Sequence, residues 1–205
     1  KELLTRINVD YLAKDREKTE ETLNPEFKRN VWFTDKDENI ALSLRHTGNI
    51  LYSEQSPYQK IRIFESYAFG KTLTIDDMVM ITEKDEFIYH EMIVHVPVFI
   101  HGNVKRALVI GGGDGGTIRE LFRHKGIEEV VMVEIDEKVV EASKLHLPQL
   151  SCEFDNPKLE LRIEDGIKYM AECKGDSFDL IIIDGSDPEG PAEGLFSHSF
   201  YENCH

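Results

Sequence analysis

Cysteine is scarce in this sequence, and the cysteines present are not spaced to bind a metal. The 205 residues contain three of them, Cys152, Cys173 and Cys204, with no Cys-x-x-Cys pair. An odd number at wide spacing argues against a disulfide framework and against a cysteine-based zinc site. We therefore expect a protein of the reducing cytoplasm.

Histidines at metal-binding spacing are also lacking on the apolar segment that holds several of them. His90 and His95 are five residues apart, whereas side chains three or four apart share one face of a helix. We expect no metal site.

Long apolar runs and basic residues are few. No run of 18 apolar residues occurs, so the sequence predicts no transmembrane helix. Asp and Glu number 39 against 24 Lys and Arg, which gives a formal charge of -15 at pH 7. Such acidity disfavours DNA, RNA and anionic membranes as partners and attracts cationic molecules.

A glycine-rich loop follows an apolar segment within Ala107–Thr117. Five glycines lie within six positions there, and Thr117–His124 is predicted to be the helix that follows. Glu128–Asp136 is predicted to be the next strand, and it places Glu134 twenty residues after Asp114. An acidic residue at this offset in a βαβ unit is suited to bind the hydroxyls of a ribose, so the pattern predicts a nucleoside site.

The charge of the glycine loop indicates which nucleoside is bound. Asp114 lies inside the loop, where it would repel the pyrophosphate of a dinucleotide. A positively charged sulfonium nucleoside of the S-adenosylmethionine type fits better. NAD is disfavoured, although it is not excluded.

A second acidic loop follows the apolar segment Leu180–Ile183, which is predicted to be a buried strand. The loop contains Asp184 and Asp187, and ligands of open α/β sheets bind at the carboxyl ends of strands. Two carboxylates three residues apart are suited to a polyvalent cation or an amine. The alternative is structural, with Asp184 as a helix cap and Asp187-Pro188 as a turn.

The pattern of apolar residues divides the chain into three parts. Residues 1–30 form a charged N-terminal arm. Residues 31–84 carry short β-type runs that predict a small antiparallel β domain. Residues 85–205 alternate strands and helices, which predicts an α/β domain with a Rossmann-like, doubly wound parallel sheet. The predicted strands of the β domain are Ala41–Leu44, Asn49–Tyr52, Lys60–Phe64, Lys71–Ile75 and Met78–Ile81.

Six motifs carry a family resemblance from about residue 30 to the end. They are Ser56–Gln59, Thr82–Met92, Gly111–Gly116, Val133–Asp136, Glu164–Gly166 and Asp184–Ala192. In this order they resemble the spermidine synthases, that is, the polyamine aminopropyltransferases. The resemblance implies transfer of a 3-aminopropyl group from decarboxylated S-adenosylmethionine to an amine, commonly putrescine, giving spermidine and 5'-methylthioadenosine. It implies no prosthetic group and no metal.

The resemblance also implies a role for each residue of the site. Asp184 would be the base that accepts the amine proton, Asp187 would bind the amine, and Asp114 would hold the ammonium of the aminopropyl chain. The remaining roles are Glu134 on the ribose, Asp165 and Gly166 near the adenine, Gln59 and Pro191 on the nucleoside, and Tyr89 and His90 along the amine channel. Tyr89 as a core residue and Gln59 as a surface strand residue are the structural alternatives. We expect a homodimer or a homotetramer.

Three features depart from the family pattern. Gly185 stands where many relatives carry Ser or Cys, which is expected to loosen the loop beside the base. Asp76-Asp77 replaces an Asp-Gly hairpin turn, so an Asp is expected in a left-handed conformation. Family members continue beyond Tyr201–His205, so we expect an incomplete part of a longer polypeptide or one chain of a split enzyme, with the strand at 179–183 near a sheet edge.

Two other functions stay open at this point. One is a non-catalytic regulatory or binding paralogue that retains the nucleoside fold, and the other is an amine N-methyltransferase that uses S-adenosylmethionine. The acceptor is also open among putrescine, cadaverine, agmatine and a longer polyamine.

Overall fold

The computed structural model describes residues 32–36, 38–188 and 190–205. The predicted charged arm at residues 1–30 lies outside the described residues. Two sheets make up the fold, an antiparallel sheet followed by a parallel sheet with helices on both faces, as the α/β prediction requires.

The antiparallel sheet has five strands in chain order. They are β1 (Trp32–Lys36), β2 (Ala41–Gln55), β3 (Lys60–Ser66), β4 (Gly70–Ile75) and β5 (Met78–Thr82). The sequence predicted two strands where the structure has β2 alone. Gly48 has a φ of 89°, and the pairing of β2 with β3 is irregular between His46 and Tyr52, so the chain forms a bulge and remains one strand.

The turn between β4 and β5 contains the unusual Asp76-Asp77 pair. Both residues have positive φ, 51° and 65°, which confirms the expected left-handed conformation. Side-chain contacts to Lys60 hold the turn, because Asp76 Oδ1 accepts from its backbone N–H at 2.8 Å and Asp77 Oδ2 lies 3.2 Å from its Nζ. These contacts offset the strain of placing non-glycine residues there.

The parallel sheet has the order β8-β7-β6-β9. Its strands are β6 (Arg106–Gly111), β7 (Glu129–Glu134), β8 (Leu159–Ile163) and β9 (Leu180–Asp184). The helices are α1 (Glu86–His101), α2 (Gly116–Phe122), α3 (Glu137–His146), α4 (Gly166–Glu172) and α5 (His198–Cys204), with short 3₁₀ turns at Ser151–Glu153 and Gly190–Phe196. In the described part of the chain no helix combines the length and the apolar character needed to cross a bilayer.

Strand β6 shows why the sheet is covered on both faces. Ala107 and Val109 are buried against α1 and α2, whereas Leu108 and Ile110 are buried on the face of α4 and α5. Successive residues of a strand point to opposite faces, so a continuous apolar run fits a parallel sheet with helices on both sides. Among the described residues β9 pairs only with β6.

The strand order also locates a crevice. From β6 the chain proceeds outward to β7 and β8, and then β9 returns to the other side of β6. The direction of winding thus reverses between β6 and β9, and ligands of open α/β sheets bind at such a reversal, beyond the carboxyl ends of the strands. The glycine loop and Asp184 lie there.

Asp136 links the two sheets. Its carboxylate is buried, and Oδ2 accepts from Ser56 Oγ at 2.6 Å and from Gln59 Nε2 at 3.1 Å. Its Oδ1 accepts from Lys138 N at 3.1 Å and so caps the N-terminus of α3.

Asp136→Ala is expected to lower the free energy of unfolding by about 2 to 4 kcal/mol, because the helix cap and the acceptor of two donors are lost together. Asp165→Ala is the matched control, since the exposed Asp165 caps α4 without a partner in the other sheet among its recorded hydrogen bonds. The control should lose about 1 kcal/mol. Urea unfolding measures both variants, and equal losses would contradict the role of Asp136 as a link.

Candidate active site

A cavity of about 280 Å³ lies between the carboxyl edge of the parallel sheet and strands β4 and β5. Nine of the ten residues that the sequence indicated lie in its lining. They are Gln59, Tyr89, Asp114, Glu134, Asp165, Gly166, Asp184, Asp187 and Pro191. The fold thus brings together residues that are up to 132 positions apart in the sequence.

The cavity is acidic. Its described lining contains five carboxylates and no Lys, Arg or His side chain. The remaining lining is mainly glycine backbone and apolar side chains of β4, β5 and β7. Such a site favours ligands that combine an apolar or heterocyclic body with positive charges, and it disfavours a pyrophosphate.

Asp184 is the last residue of β9, and both of its carboxylate oxygens accept hydrogen bonds. Tyr89 Oη donates to Oδ1 at 2.8 Å, and Thr117 Oγ1 donates to Oδ2 at 2.6 Å. Burial and the nearby charge of Asp114 raise the pKa of Asp184, although the two hydroxyl donors oppose the shift. The site therefore holds a fixed carboxylate whose affinity for a proton is increased.

The backbone around Asp184 explains the first glycine of the loop. Gly112 N donates to the carbonyl oxygen of Asp184 at 2.8 Å, and a Cβ on Gly111 would lie 2.1 Å from that oxygen. Gly111 also has a φ of 83°. No other residue type fits between β6 and β9 at this position.

Gly185 does not have a comparable steric requirement. Its φ is not positive, and an added Cβ would meet only Leu195 Cδ1 at 3.4 Å. The side chain of Asp184 is oriented by Tyr89 and Thr117 rather than by the residue that follows it. The expected loosening of the loop by glycine therefore does not release the carboxylate from its two donors.

Glu134 ends β7 as predicted and is buried, with only 6% of its surface exposed. Its Oε1 accepts from Asp136 N at 2.9 Å. Burial raises the pKa of Glu134 to about 7, which the bond from Asp136 N only partly offsets. The protein thus keeps a carboxylate in an environment that disfavours its charge.

Glu134→Gln is expected to increase the free energy of unfolding at pH 8 by up to about 3 kcal/mol. Folding raises this pKa from 4.5 to about 7, so the wild-type protein loses stability as the pH rises through that interval and does not regain it above pH 7. The neutral amide avoids this cost and can still accept from Asp136 N. Denaturant unfolding from pH 4 to 8 tests the prediction, and a pH-independent difference between the two proteins would contradict it.

His90 is not among the residues that line the cavity. His90 is fully buried behind the wall of the cavity, and its Nδ1 lies 2.5 Å from Glu86 Oε2. Its Nε2 lies 3.4 Å from Asp114 Oδ1 without making a hydrogen bond. The ring is behind the wall because α1 packs closely on α2, where Gly116 leaves room for it.

A cluster of three side chains that could bind a metal lies outside the cavity. Glu91, His95 and Glu120 bring one ligand atom each within 4.8 Å of the others. Arg123 Nη1 lies 3.3 Å from Glu91 and 2.5 Å from Glu120, so a guanidinium already joins the two carboxylates. The cluster is thus an ion network between α1 and α2.

Two family models match the chain. One, described as "Spermine/spermidine synthase domain", matches residues 86–205, and the other, described as "Spermidine synthase tetramerisation domain", matches residues 31–83. A polyamine aminopropyltransferase of Methanocaldococcus jannaschii is 54% identical over 181 residues, which are 88% of this chain and 61% of that protein. One of Clostridium botulinum, strain Alaska E43, is 52% identical over 176 residues, 85% of this chain and 61% of that protein.

Solved structures show the same fold. A spermidine synthase in complex with the transition state analogue AdoDATO matches with a TM-score of 0.83 and 42% identity, over 89% of this chain and 62% of that one. The spermidine synthase of Thermotoga maritima matches with a TM-score of 0.80 and 42% identity, over 89% of this chain and 61% of that one. The chain therefore spans about three fifths of the length of these relatives.

Proposed function

This chain belongs to the spermine/spermidine synthase family, and from this premise we propose that the full-length protein transfers a 3-aminopropyl group from decarboxylated S-adenosylmethionine to an amine. The acidity of the cavity carries the proposal, because five carboxylates without a basic side chain in the described lining suit a ligand with sulfonium and ammonium charges. Putrescine is the proposed acceptor, with spermidine and 5'-methylthioadenosine as products.

The reaction requires removal of a proton from the acceptor. An ammonium of pKa about 10.4 is neutral in roughly one molecule in two thousand at pH 7, which costs about 4 to 5 kcal/mol. In the proposed step the amine nitrogen bonds to the carbon beside the sulfonium, the electron pair of the C–S bond goes to sulfur, and Asp184 accepts the proton. Its raised pKa and its two hydroxyl donors support this role.

Residues on three strand ends would bind the donor. Glu134 at the end of β7 would accept from the ribose hydroxyls, and Asp114 after β6 would bind the ammonium of the transferred chain. Asp165 and Gly166 after β8 would lie near the adenine, and Gln59 and Pro191 would pack on the nucleoside. Fixing both ends of the aminopropyl chain would align it for in-line displacement and so lower the barrier.

The acceptor would bind beside β9. Asp187 is exposed on the loop that follows Asp184, and Tyr89, which donates to Asp184 Oδ1, lines the same cavity. A carboxylate at the cavity mouth can bind the distal ammonium of a diamine while Asp184 receives the proximal one. The presence of both carboxylates in the lining is the basis for proposing a diamine or polyamine as the partner.

The assembly is also a proposal. The tetramerisation-domain match to residues 31–83 supports an oligomer, and we infer a homodimer or a homotetramer built through the β domain at 31–84. The catalytic domain would include residues 85–205 and would act in the cytoplasm without a prosthetic group.

Product identification tests the proposal. The full-length protein is incubated with either decarboxylated S-adenosylmethionine or S-adenosylmethionine and with a panel of amines, and the products are analysed by mass spectrometry. An aminopropylated amine from the first donor supports the proposal. A methylated amine would indicate an N-methyltransferase, and binding without turnover would indicate a non-catalytic paralogue.

A further inference from the structure

A buried series of charged groups runs from α2 through α1 to the Asp114 carboxylate. Arg119 donates from Nη1 and Nη2 to the two oxygens of Glu86, each at 2.9 Å. Glu86 Oε2 in turn lies 2.5 Å from Nδ1 of His90. A bidentate guanidinium–carboxylate pair has one favoured geometry, so Arg119 fixes Glu86, and Glu86 fixes the imidazole.

The ring of His90 cannot rotate away from Asp114. Its atoms lie within 2.5 Å of the position that a Cβ on Gly116 would occupy, so ring and backbone are in close contact. Gly116 N donates to Asp114 Oδ1 at 2.6 Å and holds the carboxylate on the other side. His90 Nε2 is therefore kept 3.4 Å from Asp114 Oδ1, as a fully buried nitrogen with no hydrogen-bond partner among the described residues.

The charges of these groups determine where the protons lie. Burial favours the neutral acid for Glu86, but the hydrogen bonds from His90 and Arg119 lower its pKa to about 2. Glu86 is therefore ionised and can only accept hydrogen bonds, so Nδ1 of His90 must carry the proton that lies between them. Burial also opposes a charge on the ring, but Asp114 and Glu86 outweigh it and raise the pKa of His90 to about 10.

We propose that Glu86 is a positioning residue that holds the protonated ring of His90 beside Asp114. In the absence of ligand this ring is the counter-ion of the Asp114 carboxylate. When the ammonium group of a ligand binds Asp114, His90 loses a proton and becomes neutral. The proton leaves Nε2 for the solvent, and the neutral ring keeps its Nδ1–H on Glu86. Asp114, which lines the cavity, then no longer faces a charged ring and binds the ammonium in its place. The inference rests on the proposed function, because that ammonium belongs to the donor.

Other titratable groups around the ring agree with this assignment. Asp184 at the end of β9 adds a negative charge that also favours the protonated ring. Tyr89, whose ring packs edge-on against His90, stays neutral because burial and the charge of Asp184 raise its pKa. Arg119 is separated from the ring by Glu86, which it neutralises.

Two unreactive nucleosides isolate the effect of the ammonium. One is 5'-methylthioadenosine, and the other is 5'-(3-aminopropyl)thioadenosine, which adds the ammonium chain to the same neutral thioether. Calorimetric titration of the full-length protein at pH 8, in buffers of different ionisation enthalpy, gives the number of protons released by each. Any protons that Glu134 releases or takes up are equal in number in the two titrations, since both ligands carry the same ribose.

We expect the aminopropyl compound to release close to one proton more than methylthioadenosine. The ratio of its affinity to that of methylthioadenosine should rise nearly tenfold per pH unit from pH 7 to 9. The reason is that the ligand's ammonium group competes for Asp114 with the protonated His90, whose pKa is about 10. Glu86→Gln should remove at least half of the extra proton release at pH 8 and leave methylthioadenosine binding unchanged. A conservative change that only loosened the packing would not move the proton count.

His90→Gln provides the second variant, because Glu86→Gln removes the bidentate carboxylate partner of Arg119, which keeps its ion pair with Glu120, and can lower stability. Its side chain has no proton to lose at pH 8, so the two ligands should release equal numbers of protons. Equal proton numbers in the wild-type protein, or an unchanged difference in His90→Gln, would overturn the inference while leaving the proposed function intact. Failure of both nucleosides to bind would overturn the proposed function and this inference with it.

Discussion

Asp184→Asn is expected to lower turnover by roughly 10²- to 10⁴-fold and to leave nucleoside binding unchanged. Asparagine has the same shape and can still interact with the hydroxyls of Tyr89 and Thr117, which contact the two carboxylate oxygens. It cannot accept a proton at neutral pH. The loss should therefore appear in kcat, measured by steady-state kinetics on the full-length protein.

Asp187→Asn is the matched control for this variant. Asp187 lies on the same loop, but its side chain is exposed, and its proposed role is to bind the amine. It should raise the KM for the amine and change kcat little. Unchanged turnover in Asp184→Asn, or equal effects on kcat in the two variants, would show that the base has been misassigned.

Asp114→Asn is expected to weaken binding of decarboxylated S-adenosylmethionine by roughly 10- to 150-fold. A hydrogen bond to a charged group contributes about 1.5 to 3 kcal/mol, which corresponds to this loss of affinity. The wild-type protein should bind this donor well ahead of S-adenosylmethionine, whose carboxylate would face Asp114. In the variant this preference should largely disappear.

Methylthioadenosine and NAD serve as controls in the same calorimetric series. Methylthioadenosine has no ammonium group, so its affinity should be the same for the wild-type protein and Asp114→Asn. The asparagine retains an oxygen to accept from Gly116 N, which protects the glycine loop from rearrangement. NAD should not bind measurably to either protein, and equal losses for all nucleosides would mean that Asp114 acts on the loop rather than on the ammonium.

The positions of the glycine loop and Glu134 in the fold were predictable because their signals are local. The apolar segment, the glycines and the acidic residue at the end of β7 lie in one continuous βαβ unit, so spacing along the chain determines position in space. Gly113 illustrates this, since a Cβ at this position would lie 2.9 Å from Glu134 Oε2, at the end of the second strand of the same unit.

The groups that support the site were not predictable in the same way. Thr117 donates to Asp184 across 67 positions, and Arg119 binds Glu86 across 33 positions. Neither pair shares a motif, and only the packing of α1, α2 and β9 brings their side chains together. The burial of His90 was missed for the same reason, because it depends on the absence of a Cβ at Gly116 on another helix.

A time course with the full-length protein, decarboxylated S-adenosylmethionine and putrescine tests the central claim most directly. Chromatography of quenched samples measures methylthioadenosine and spermidine together. The account predicts that both appear in equal amounts, catalytically, and without added metal or cofactor. A bound donor that is not consumed over many hours, or methylthioadenosine released without an aminopropylated amine, would contradict it.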